Sequence, residues 1–167
     1  MIRGFMNAAA LLLAAGCASM DGSGLLPGKS TAAEVQAQMG APFEKHAAPG
    51  GGSIWWYSHA PSGFHSYAVA IGPDNVVRSV DQRLTVENVK LVKANEWTRN
   101  EVRALFGPPF FVSTFPRLQR EIWEYQILEV AFKWKLWIQF SPDGVVREVL
   151  QMRHPDMDPP GASQGKD

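Results

Sequence analysis

A chain of 167 residues with 16 basic and 16 acidic side chains has zero formal net charge, and no long run of either sign interrupts the balance. The basic stripe that nucleic acid requires is therefore missing. With 46% hydrophobic and 11% aromatic residues, including six Trp and nine Phe, the composition excludes a disordered chain and is enough for one compact unit or two small fused ones.

The chain starts with Arg3, an apolar run from Ala8 to Ala15, and Gly16 just ahead of Cys17, the sole cysteine. A charged start, a short apolar segment and small residues make the pattern of a secretory signal, here residues 1–16. That run is too short to cross a bilayer. Leu13-Ala14-Ala15-Gly16-Cys17 resembles the bacterial lipobox, although Ala14 stands where leucine is usual. The resemblance implies cleavage before Cys17 and lipidation of that residue; ordinary signal cleavage near Ala18 is the competing reading. Residues 17–28 are small, polar and glycine-rich, and read as a tether.

Thr31-Ala-Ala-Glu34-Val35 up to Gly40 and Pro42 is the first helix signal. A threonine hydroxyl accepts a free N–H of the first turn, and a glutamate three residues on reaches back to the threonine N–H. Val35 and Met39 share one face, and Gly40 closes the helix. Residues 42–53, with Gly50-Gly51-Gly52, read as a loop. Strands are predicted at 54–58, 67–71 and 76–82, the first two joined through Pro61-Ser62-Gly63 and the last two through the turn Pro73-Asp74-Asn75.

Leu84 to Val89 predicts a short helix, and the frame T-x-x-E-V-x-x-x-x-G-x-P then recurs at Thr98 to Pro109, offset by 67 residues. A proline-rich loop through Pro116 follows. Trp123-Glu124-Tyr125 echoes Trp55-Trp56-Tyr57 at offset 68, and Pro142-Asp143-Gly144-Val145-Val146-Arg147 echoes Pro73 to Arg78 at offset 69. Strands are predicted at 122–128, 133–140 and 145–150, and a disordered tail from residue 154. The expected fold class is α+β: two tandem repeats, 29–83 and 84–153, each with one or two short helices on one face of a three-stranded antiparallel sheet. A unit of about 60 residues buries only about 60% of its unfolded surface, so the halves should share a core.

No catalytic constellation is legible. Of the four histidines, His46, His59, His65 and His154, His59 and His65 could converge across a hairpin, yet no carboxylate or thiol sits at metal-ligand spacing beside those two, so neither metal nor cofactor is expected. Asp74 and Asp143 each have a turn to make. The aromatics carry more information. Trp55, Tyr57, Trp123 and Tyr125 pack towards the helices, whereas Trp56 and Trp137 have the opposite parity. An antiparallel sheet with helices on one side leaves its other face open. Large aromatics there are either capped by the other repeat or form a partner surface; on the second reading Trp56 and Trp137, with Phe110, Phe111 and Phe115 in the following loop, are the candidate protein-binding face.

The lipobox-like ending, Leu84 to Val89, the capped helix, the W-x-Y strand and the Asp-Gly-Val-Val turn together resemble the SmpA/OmlA (BamE-like) outer-membrane lipoproteins. The likeness covers Leu84 to Arg153 well and Gly28 to Arg83 more loosely, and the tandem is similar in architecture to the β-lactamase inhibitory proteins. The resemblance implies a non-catalytic lipoprotein of the outer membrane, lipid-anchored and facing the periplasm, a scaffold or assembly factor that binds other envelope proteins and takes no small-molecule substrate. Two further readings stand beside it: a periplasmic inhibitor or sensor that captures a soluble protein or peptide on its open sheet, and a small hydrolase using His59 or His65.

Overall fold

The computed structural model describes residues 21–58, 63–130 and 132–157. The expected signal segment, Cys17, residues 59–62 with His59, and the tail from residue 158 lie outside them. The fold is mixed α and β: two four-stranded antiparallel sheets with a few short helices. Helix α1 (Ala32–Met39) precedes strands β1 (Glu44–Ala47), β2 (Ser53–Ser58), β3 (Ser66–Ile71) and β4 (Val77–Gln82), which pair in sequence order. Helices α2 (Val86–Val89) and α3 (Arg99–Phe106) lead to β5 (Phe111–Phe115), β6 (Arg120–Glu129), β7 (Phe132–Phe140) and β8 (Val146–Arg153), again paired in order.

Both long-frame helices start as the sequence predicts. The Thr31 and Thr98 N–H groups each donate to the carboxylate of the glutamate three residues on, at 2.7 Å, and each threonine hydroxyl accepts from that glutamate's N–H. These bonds hold both carboxyls, Glu34 and Glu101, below the usual range. Gly40 and Gly107 close the helices at φ 80, ψ −159 and φ 76, ψ −160. That is not the left-handed helical region expected of a cap, but a region open essentially to glycine alone.

The aromatic strands lock onto these caps. The Tyr57 hydroxyl donates to the Gly40 carbonyl at 3.2 Å and the Tyr125 hydroxyl to the Gly107 carbonyl at 3.1 Å. Burial pushes Tyr57 up to about 12 and raises Tyr125 further, so both stay neutral donors. At the opposite helix end, Ala32 N–H donates to the Asn75 carbonyl and Arg99 N–H to the Gly144 carbonyl. The aspartates of these turns each accept from the N–H two residues on and pair with the arginine four residues on, Asp74 with Arg78 and Asp143 with Arg147, both at 2.7 Å. Their place is architectural.

Each sheet has one strand more than expected. The residues read as loops after the glycine caps contain β1 and β5, edge strands whose backbone pairs on one side only. The expected tether is folded from Asp21 onward: Leu25 is buried in the first core, and the Gly28 N–H donates to the Val77 carbonyl at 2.8 Å. At the other end, Pro155–Met157 make a 3-10 turn, and the His154 N–H donates to the Lys133 carbonyl. The first core gathers Val35, Met39, Trp55, Tyr57, Val69 and Val77; the second gathers Val102, Phe106, Trp123, Tyr125, Leu136, Ile138 and Phe140. The Thr85 hydroxyl caps α2 by accepting from the Asn88 N–H at 3.2 Å.

The halves meet through α3. Val102 and Phe106 turn into the second core, while the C-terminal end of the helix meets the first sheet. There the Ser66 hydroxyl donates to the Phe106 carbonyl at 2.8 Å, the Arg103 guanidinium pairs with Glu44, and Trp56 lies directly under Gly107.

Candidate protein-binding face

Alternation along β5 to β8 sorts side chains between the helix-side core and the opposite, outer face. The ladder register sets Phe111 opposite Glu124, Glu124 opposite Trp137, and Trp137 opposite Leu150, one row running across all four strands. Ile122, next to Glu124 on this face, pairs with Ser113 and Gln139. Phe111 is 59% exposed and Phe115, also on this face, 43%. Trp137, Ile122 and Leu150 are partly exposed.

Trp137 is held in place rather than left to rotate. Its indole N–H donates to one Glu124 carboxylate oxygen at 2.8 Å, and the Lys135 ammonium meets the other at 3.0 Å. The carboxylate of β6 thus bridges an aromatic donor and a cation two residues apart on the neighbouring strand β7, and the indole is fixed with its polar atom satisfied. A fixed amphipathic ring of this kind contributes contact area at little cost in conformational entropy.

The expected five-residue face divides. Trp137, Phe111 and Phe115 share one surface. Phe110 precedes β5 and turns its ring towards Gly63, where an added Cβ would come within 2.9 Å of it. Trp56 leaves the candidate binding face and follows the other reading, an aromatic capped by the second half. Its parity is as read, away from α1, but it is only 4% exposed, and its ring lies against Gly107 at the end of α3 in the second half. It belongs to the junction. The β2–β3 hairpin also reaches the second sheet, with Gly63 near Gln126, and with Phe64 against His154 at 5.7 Å and beneath the Lys133 ammonium at 5.4 Å. Among the described residues, the first half therefore covers the Gln126 end of the outer face and leaves the Phe111–Trp137–Leu150 row uncovered.

His46 bonds to Glu44 at 2.8 Å, His65 stacks on Tyr67 and His154 faces Asp156. Among the described residues, no group of three or more His, Cys, Asp or Glu is arranged to hold a metal. Ile122 and Leu150 were missed by sequence reading; once β6 and β8 are placed, their parity with Glu124 and against Val149 assigns them to the outer face.

No family model matches the chain, and no curated protein matches it. Among solved structures, a DUF4309 family protein (YjgB) from Bacillus subtilis is similar at 20% identity and a TM-score of 0.31, covering 78% of this chain and 83% of that one. That likeness is too slight to bear on function.

Proposed function

We propose that the chain is a non-catalytic binding protein that uses the outer face of the second sheet to hold another cell-envelope protein. The carrying observation is the uncovered row Phe111–Glu124–Trp137–Leu150, with the Trp137 indole fixed by Glu124. Exposed aromatics on a rigid sheet, rimmed by charge, are the usual anatomy of an interface centre. The proposal includes a tandem of two related units, supported by the matching caps, tyrosine-to-glycine bonds and Asp–Arg turns of the two halves. It also includes lipid attachment at Cys17 and an outer-membrane, periplasm-facing location, supported by the lipobox-like ending and the resemblance to SmpA/OmlA lipoproteins.

The test is capture of envelope proteins by the intact chain and by Trp137→Ala, with the melting temperature measured beside it and the mass of the mature N-terminus recorded. Truncating a hot-spot tryptophan weakens binding by about 2 kcal/mol or more. The expected result is lost capture with near-unchanged melting, and an acylated Cys17. Retained capture alongside a large fall in melting temperature would make Trp137 a core residue, and an unmodified N-terminus would remove the anchor.

A further inference from the structure

Four strands form sheet edges: β1, β4, β5 and β8. An edge presents unpaired N–H and C=O groups that template another strand, and proteins usually block it with charge. Glu44 and Lys45 lie in β1, Arg78 and Asp81 in β4, and Arg147, Glu148 and Arg153 in β8. Strand β5 reads Phe111-Val112-Ser113-Thr114-Phe115, with no charge at all. Its two phenylalanines and Val112, 46% exposed, meet solvent, and its ladder partners are all on β6.

The five residues are also nearly palindromic about Ser113, since valine and threonine are close in shape. When two antiparallel copies cross at Ser113, Phe111 stands opposite Phe115, Val112 opposite Thr114, and Ser113 opposite itself. Aromatic pairs and pairs of β-branched residues are the cross-strand combinations that stabilise antiparallel ladders. A two-fold interface needs such self-complementarity, each residue meeting its counterpart twice. We propose that β5 is a homodimer edge: a second copy of this chain adds its own β5, antiparallel and centred on Ser113, to make one continuous eight-stranded sheet. A two-fold axis normal to the sheet keeps both outer faces on one side, so the two Trp137 rows join into one surface. Pairing through the β5 edge does not depend on the Trp137 face binding anything.

Sedimentation of the full chain in mild detergent, together with single-cysteine cross-linking in a Cys17→Ser background, tests the edge. A dimer is expected, and Ser113→Lys, which sets two ammonium groups opposite each other, should return it to monomer mass with unchanged circular dichroism. Under mild oxidation Ser113→Cys should form an interchain disulfide many-fold faster than Phe111→Cys or Phe115→Cys, because in this register each of those positions faces the other and not itself. A monomeric parent chain, a dimer that survives Ser113→Lys, or equal cross-linking at the three positions would overturn the proposal. Ser113 lies on the outer face between Phe111 and Phe115, so the edge is judged by mass and cross-linking alone, apart from envelope-protein capture.

Discussion

Gly40 and Gly107 are a matched pair: the same turn, the same backbone angles to within a few degrees, and the same tyrosine hydroxyl on the carbonyl. They differ in what surrounds them. A Cβ added at Gly40 meets nothing within 4 Å, whereas one at Gly107 falls 2.5 Å from the Trp56 ring. Gly40→Ala should therefore lose only the backbone strain of an unfavourable region, about 1–3 kcal/mol. Gly107→Ala should lose that and the cost of pushing an indole out of a packed contact, typically about 1–3 kcal/mol more. Urea unfolding of the two variants measures the difference directly. Equal midpoints would mean that Trp56 moves aside freely and that the junction is looser at this point than the packing implies.

At the scale of the helix, the capping boxes couple stability to acid. The bonds from Thr98, its hydroxyl foremost, lower the Glu101 carboxyl from its ordinary 4.5. A carboxyl with a depressed folded value binds fewer protons when folded, so its contribution is complete above 4.5 and is lost as pH falls through the lowered value. Glu101→Gln should thus melt below the parent chain at neutral pH, and the two curves should converge as the solution is acidified through that window; a gap that stays constant with pH would remove the charge from the explanation. These helices were legible because the capping frame is local, every contact falling within three or four residues. Strands β1 and β5 were not. Glu44-Lys45-His46-Ala47 shows no alternation, because an edge strand need not bury one full side. Phe111 to Phe115 has the aromatic and β-branched content of a strand, but Pro109 and Pro116 bracket it and read as loop punctuation. The parity of Trp56 was readable and its fate was not, since Gly107 stands 51 positions further along the chain and no local period encodes that contact. Half of the binding face was visible for the converse reason: Trp137 sits in a long alternating strand, whereas Leu150 joins it only through the β7–β8 register.

For the molecule as a whole, the layers run α1, first sheet, α3, second sheet, and then the uncovered face. Helix α3 is the shared element: Val102 and Phe106 are buried in the second core, and its C-terminal end meets the first sheet, where the junction includes an aromatic contact, one buried hydroxyl bond and the Arg103–Glu44 pair. Their energies differ in kind. Both ends of the ion pair are partly exposed, at 35% and 26% of their side chains, and exposed pairs contribute about 0–1 kcal/mol. Removing a buried Trp side chain costs about 3–5 kcal/mol. Because halves of this size are marginal alone, the parent chain should unfold in one calorimetric transition, with matching calorimetric and van't Hoff enthalpies. Arg103→Ala should keep that single transition with a small shift. Trp56→Ala should lower the midpoint strongly and broaden or split the transition, as the first sheet loses the surface that ties it to α3. One sharp transition at an unchanged midpoint in Trp56→Ala would show that the halves are coupled elsewhere, and the β2–β3 hairpin, with Phe64 set between His154 and Lys133, would then be the contact to remove next.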